Sequence, residues 1–219
     1  MQIHDLAVVF ENDDLFIINK PAGLSFHSEN QMPGAAVTTQ QLFGQELWPA
    51  HRLDKITSGL LMFAKNKPAS KSLGQLFEQR LIQKNYIALS ASKPKKKQGK
   101  IVGDMVKARN GSWKLSMQRN NPTVTIFQST SLVPGIRFFW VTPQTGKTHQ
   151  IRVALKSIGA PILGDQRYGN QPADRGYLHA YRLAFNWQGE ALSISCLPQQ
   201  GDYFLLPELQ QCIKSLDSA

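Results

Sequence analysis

His51-Arg52-Leu53-Asp54-Lys55-Ile56-Thr57-Ser58-Gly59, followed by Leu60-Leu61-Met62-Phe63-Ala64, is the stretch on which the reading of this chain turns. The second part is an apolar run of the length of a buried strand. The first part sets one carboxylate among two cations and a histidine and ends on small residues. Thr57, Ser58 and Gly59 suit a tight backbone path from a loop into that strand. An acid held at the edge of a core element is a position where chemistry is often done. A lone aspartate at a turn is more often a cap or a surface ion pair, so the residues around it must decide.

Working upstream, residues 6–10 and 15–19 read as two strands of a hairpin across Glu11-Asn12-Asp13-Asp14. Pro21-Ala22-Gly23 breaks the second strand. Residues 25–50 are polar and glycine-containing and are expected to hold a short helix with Leu42, Phe43 and Leu47 inward, ending before Pro49. Downstream, Asn66 reads as an N-cap with Pro68 in the first turn, and Leu73, Leu76, Phe77 and Leu81 recur as one buried helical face. Residues 86–89 return to strand. Residues 93–100 form a basic, turn-rich loop, and strand-like runs follow at 100–106, 113–117, 124–130 and 137–141. A helix begins after Thr145-Gly146 with Ile151, Ala154, Leu155 and Ile158 as its stripe, and Gly159 and Pro161 stop it. Strands at 177–185 and 192–197 precede a last helix opened by Pro207, with Leu209, Cys212, Ile213 and Leu216 inward. There is no internal repeat and no dividing linker. Many strands with a few separate helices argue for an α+β fold, read as one domain over residues 1–219.

Composition agrees with a folded enzyme. The chain has 219 residues, 42% of them hydrophobic and 18% charged, which excludes a disordered chain. The formal net charge of +10 suits a polyanionic partner, although charge alone leaves nucleic acid at even odds. Cys196 and Cys212 are the only cysteines, and they read as buried thiols of a cytoplasmic protein. Residues 1–10 lack the pattern of a signal peptide, and no apolar run reaches membrane-spanning length. His51, His149 and His179 match no metal-ligand spacing and read as structural.

Five further blocks decide the question. They are Asp14–Leu24 with its Asn-Lys-Pro-Ala-Gly turn, Lys84-Asn85-Tyr86-Ile87-Ala88, the run Thr145-Gly146-Lys147-Thr148-His149-Gln150-Ile151-Arg152-Val153, then Gly159-Ala160-Pro161-Ile162-Leu163-Gly164-Asp165 with Tyr168, and Leu178-His179-Ala180 with Leu183 and Phe185. Together with His-Arg-Leu-Asp-x-x-Thr-Ser-Gly they resemble, in order, the motifs of the RluA-type pseudouridine synthases, which isomerise uridine in RNA. The resemblance implies a central, bent, mixed but mostly antiparallel sheet with helices and loops around a cleft. It implies no metal and no organic cofactor. A separate N-terminal RNA-binding domain, as some relatives carry, is not expected.

The reaction breaks the bond from sugar to base nitrogen, turns the base and rejoins it through carbon 5. It needs a carboxylate at the reacting ring, an apolar slot for the flipped base, and protection from water. The resemblance assigns the carboxylate to Asp54, its charge partner to Arg152 and the base-stacking aromatic to Tyr86. An ionised acid in a partly dry slot does need a partner, because an isolated buried charge is costly. Arg152 is expected to stand off the Ile151/Leu155 face of its helix. Arg52 lies two residues before Asp54, on the same face if that segment is extended; the resemblance has it fill the gap left by the extruded base, a phosphate-contacting or purely structural arginine being the alternative. His51, Thr57, Lys147, His149, Ile151 and Leu163 complete the substrate-binding set, with ordinary packing the alternative for Ile151 and Leu163. Lys95, Lys96 and Lys97 are read as phosphate contacts. The expected partner is a structured ribosomal or transfer RNA, and the expected state is a monomer.

Two departures stand out. Ala154 occupies a position where many relatives carry His, and residues 25–50 match the family poorly. The alternatives to an enzyme of this kind are a catalytically silent RNA-binding protein and a hydrolytic nucleosidase. The second usually needs two flanking carboxylates, and Asp165 after its glycine turn reads as a cap.

Overall fold

The computed structural model describes residues 6–217. Along the chain run β1 (Ala7–Glu11), β2 (Leu15–Lys20), α1 (Ala35–Phe43), β3 (Trp48–Pro49), β4 (Thr57–Ala64), α2 (Lys67–Glu78), β5 (Gln83–Ser90), β6 (Gln98–Lys107), β7 (Trp113–Ser116), β8 (Thr123–Val133), β9 (Ile136–Pro143), α3 (Gln150–Ser157), β10 (Leu178–Trp187), β11 (Glu190–Ser195) and α4 (Pro207–Asp217). The architecture is α+β. The chain divides into two compact units, one of Met1–Lys84 with Ala180–Leu197 and one of Asn85–His179 with Pro198–Ala219. The first five residues, part of the stretch read as lacking a signal peptide, lie outside the described residues.

In the first unit β1 and β2 form the expected antiparallel hairpin, and β2 pairs antiparallel with β4 from Leu15↔Ala64 to Lys20↔Gly59. β2 and β4 are buried along their whole length, which is why Leu15–Ile18 and Leu60–Ala64 within them read as apolar runs without alternation. Leu15, Ile17, Leu60, Met62, Leu73, Leu183, Phe185 and Trp187 share one core. The Asn66 side chain caps α2 through the Ala69 N–H at 2.8 Å, with proline in the first turn as the sequence requires. Leu73 is buried and Leu76 and Phe77 pack on the core, but Leu81 lies beyond the helix and is exposed. α2 ends at Glu78, and Arg80 adopts a left-handed backbone, so the helical period no longer sets where Leu81 points.

The helix expected in residues 25–50 is present as α1, but it stops at Gly44, whose left-handed backbone (φ 61°) lets its N–H cap the Gln40 carbonyl. Leu47 therefore belongs to the following loop, where it is buried, while Leu42 faces solvent. The buried face of α1 is Ala35, Thr38 and Thr39, small and polar residues that an apolar-stripe reading passes over. Thr39 returns its hydroxyl to the Ala35 carbonyl at 2.6 Å, which makes burial tolerable.

Gly59 shows why the motif ends on glycine. Its φ is +106°, and a β-carbon there would overlap the Ala180 backbone. Gly59→Ala is expected to cost more than about 2 kcal/mol. Chemical denaturation reads this, and a loss under 1 kcal/mol would contradict it.

In the second unit β9 pairs antiparallel with β5 and with β8, β8 with β6, and β6 with β7. Phe138, Phe139 and Val141 of β9 are fully buried. α3 begins at Gln150, later than the Thr145-Gly146 signal suggests, because Gln150 is consumed by the preceding loop. Its side chain accepts from the Thr145 hydroxyl (2.7 Å) and the Lys147 N–H (3.1 Å), and donates to the Val124 carbonyl (3.1 Å) and the Thr125 hydroxyl (3.0 Å). A buried amide with all its bonds made specifies one loop geometry.

Candidate active site

In the first unit Asp54 sits on the loop between β3 and β4 and is half-buried. Its carbonyl accepts the Thr57 N–H at 3.0 Å, closing the turn that feeds β4, and Thr57 is itself buried. The next carbonyl, of Lys55, accepts the Gly23 N–H at 2.7 Å. The Asn-Lys-Pro-Ala-Gly turn is thereby tied to the aspartate loop. Lys20 within that turn is fully buried, with Nζ donating to the Pro21 and Leu24 carbonyls at 2.8 Å each. Sequence reasoning gave Lys20 no function. Its signal was a lysine ending a strand that opens Leu-Phe-Ile-Ile, and a buried charge must be met by polar ligands.

His51 anchors the same loop. Its Nε2 accepts the Met62 N–H of β4 at 3.1 Å, and its ring lies 5.1 Å from Phe77 on α2. Burial, followed by the positive charge of Lys84, lowers its pKa from 6.5 to about 3. A protonated ring could no longer accept the Met62 N–H, so the imidazole must stay neutral for the loop to hold. The folded pKa lies below the unfolded one. The contribution is thus complete above about pH 6.5 and is lost as pH falls toward 3, at up to ~1.4 kcal/mol per pH unit. Urea midpoints should drop between pH 7 and pH 5 in the wild type and stay flatter in His51→Gln. Parallel profiles would contradict this role. Arg52 points from the same loop and is exposed.

In the second unit Arg152 on α3 departs from expectation. It is not a residue standing out from the helix but is only 5% exposed. Its guanidinium makes a bidentate pair with Asp165, Nε to Oδ2 at 2.8 Å and Nη2 to Oδ1 at 2.9 Å. Asp165 also caps its turn, with Oδ1 accepting the Arg167 and Tyr168 N–H groups at 3.0 and 3.2 Å. The cap reading of Asp165 holds, and the ion pair is the part that spacing does not reveal, since thirteen residues of turn and helix separate the partners. The Tyr168 ring lies under the guanidinium at 4.9 Å, and its hydroxyl bonds His149 Nδ1 at 2.8 Å. His149 itself holds a left-handed backbone (φ 58°) just before α3, the kind of local strain that surrounding contacts must sustain.

Tyr86 lies on β5 opposite Val141 and is half-buried, and its neighbour Asn85 donates to the Thr142 hydroxyl at 3.0 Å. Ile151 and Leu163 are buried. The Leu163 backbone bridges two segments, donating to Leu89 (2.8 Å) and accepting from Tyr177 (2.9 Å), which fits a packing role. Lys147 is exposed, as are Lys95, Lys96 and Lys97. Ala154 is buried within α3, so the helix is complete without a polar residue there. Among the described residues there is no cluster of three or more His, Cys, Asp or Glu side chains that could hold a metal ion, and no helix long and apolar enough to cross a membrane.

Known proteins match this arrangement over most of the chain. A family model described as RNA pseudouridylate synthase matches residues 14–157. An uncharacterised RNA pseudouridine synthase of Haemophilus influenzae is 46% identical over 213 residues, covering 96% of this chain and 95% of that protein. The ribosomal large subunit pseudouridine synthase C of Rickettsia bellii is 34% identical over 170 residues, or 74% of this chain. The chain spans only 56% of that protein's length. Among solved structures, human RNA pseudouridylate synthase domain containing 1 superposes with a TM-score of 0.77 over 100% of this chain and 97% of that one. At 23% identity this is a likeness of fold. Human RNA pseudouridylate synthase domain containing 4 gives 0.72 at 25% identity, over 91% of this chain and 90% of that one.

Proposed function

The chain belongs to the RNA pseudouridylate synthase family, and we propose that it isomerises uridine in ribosomal RNA with Asp54 as the catalytic carboxylate. The observation that carries this is the Asp54 loop itself. Lys20, His51, Thr57 and Gly59 each spend a buried bond or a special backbone conformation near one aspartate. That much fixed structure around a half-exposed carboxylate is what a reacting group needs and a surface cap does not.

Arg152 is the proposed charge partner of Asp54, with Asp165 holding its other edge, and Tyr86 is the proposed stacking residue for the target base. Arg52 would fill the gap left by the flipped nucleotide and so offset part of the few kcal/mol that extrusion costs. His51 and Thr57 act through the backbone of the Asp54 loop. Lys147 and His149 flank the start of α3, Ile151 and Leu163 line apolar surface, and Lys95, Lys96 and Lys97 contact phosphate. The ribosomal substrate is supported by the name of the Rickettsia bellii relative. A cytoplasmic monomer working on RNA without a metal or organic cofactor completes the proposal.

The test is pseudouridine mapping of total RNA from cells lacking the gene, incubated with the wild-type protein or with Asp54→Ala. A site that appears with the wild type alone establishes the activity and names the substrate. RNA binding with no new site would favour a silent RNA-binding protein, and release of free uracil would favour a nucleosidase.

A further inference from the structure

The excess charge of this chain is not spread over its surface. Residues 93–121 carry nine Lys and Arg against the single acid Asp104, whereas the rest of the chain holds sixteen basic and fourteen acidic residues. Eight of the ten net positive charges thus sit on the β6–β7 hairpin and the loop leading into it. Lys100, Lys107, Arg109, Lys114 and Arg119 are all exposed. Asp104 is committed inside the hairpin, its carboxylate accepting the Asn120 and Asn121 N–H groups at 3.0 Å each.

The hairpin is also fastened at its tip. The Tyr168 hydroxyl accepts the Trp113 N–H at 2.9 Å, and Arg167 Nη1 donates to the Asn110 carbonyl at 2.6 Å. Both fasteners come from the turn that begins at Asp165. The same Tyr168 oxygen bonds His149 Nδ1 at 2.8 Å, while its ring carries the Arg152 guanidinium. Burial raises the Tyr168 pKa and keeps the phenol protonated. β7 pairs with β6 at one end of the strand order, and none of its residues is fully buried. Lysines on an edge strand can serve only to prevent edge-to-edge pairing. That purpose needs no fixed geometry, whereas two bonds from one turn hold this edge in place.

We infer that the β6–β7 hairpin is a docking arm for the phosphate backbone of RNA and that Tyr168 and Arg167 latch it to the Arg152–Asp165 pair. The inference rests on the proposed RNA substrate and extends it. The contact surface reaches beyond Lys95–Lys97 to Lys107 and Lys114 on the two opposite faces of the hairpin, where Lys107 pairs with Trp113 and Lys114 with Val106, and to Arg109 at its tip, and RNA docking is coupled to the position of Arg152. Tyr168 is then a positioning residue.

The experiment measures binding of a fluorescein-labelled stem-loop RNA across salt concentration, with Asp54→Asn as the background so that turnover does not intervene. Neutralising Lys107, Arg109 and Lys114 to Gln should weaken binding about tenfold or more near 0.1 M salt. It should also reduce the slope of log Kd against log salt by about two to three. Arg109→Gln alone should reduce the slope by about one. Tyr168→Phe keeps the ring under Arg152 but removes the hydroxyl. It should raise Trp113 amide exchange at least tenfold and, in the otherwise wild-type enzyme, raise KM more than it lowers kcat. Wild-type affinity and slope in the triple variant would overturn the docking arm. Unchanged Trp113 exchange and KM in Tyr168→Phe would overturn the latch. Neither result touches the isomerase reading, which pseudouridine formation by the wild type scores separately.

Discussion

Asp54→Asn is expected to lower pseudouridine formation about a thousandfold or more while leaving the protein folded. Asparagine has the shape of aspartate without its charge, so the variant removes the proposed reacting carboxylate while keeping its volume. The carbonyl of residue 54 closes the turn with the Thr57 N–H at 3.0 Å, and the substitution preserves that bond. The side chain is half-buried, open enough to meet a substrate. Turnover on the mapped RNA site, with a thermal melt on the same sample, decides the matter. Activity within tenfold of wild type would remove Asp54 from the mechanism. Lost activity with a lost melt would instead make Asp54 a folding residue, and Asp54→Ser would then be needed to separate the two.

Asp165→Asn is expected to destabilise the second unit by about 3 kcal/mol or more. Its caps to Arg167 and Tyr168 can survive on the amide oxygen. What cannot survive is the bidentate pairing with Arg152, which is buried and has both Nε and Nη2 committed to this carboxylate. Removing one member of a buried ion pair strips the other of its bidentate partner, and this is costlier than removing both. Arg152→Met combined with Asp165→Leu should therefore be closer to wild-type stability than Asp165→Asn, with a coupling well outside additivity. Urea unfolding of the single and double variants gives both numbers. A loss under 1 kcal/mol in Asp165→Asn would mean that the pair is solvated and carries little. Activity should fall with Asp165→Asn even where the protein is fully folded, because the arginine proposed to face Asp54 would no longer be held along its other edge.

Local features were legible where chemistry is local. The Asn66 cap, the β1–β2 hairpin and the αL glycine after α3 each depend on a few adjacent residues, and each is found. Side-chain direction was legible only while an element kept its period. Leu42 and Leu81 were assigned to the core from helical spacing. One lies on the open face of a helix whose buried side is threonine and alanine, and the other follows the end of its helix. Periodicity says that a helix has two faces but not which one the rest of the molecule covers.

The sequence by itself determined the family and the α+β class. Those follow from ordered motifs whose residue types are set by backbone conformation and by the reaction, both of which act over a handful of neighbours. Only the tertiary structure decided that Arg152 is buried against Asp165, that His51 is a neutral acceptor for Met62, that Lys20 is a caged cation, and that the turn at Asp165 fastens the basic hairpin. Each of these joins residues from 1 to 57 positions apart or depends on burial. A buried polar group is compelled to find a partner, but nothing in the order of residues says which partner the fold will bring within reach.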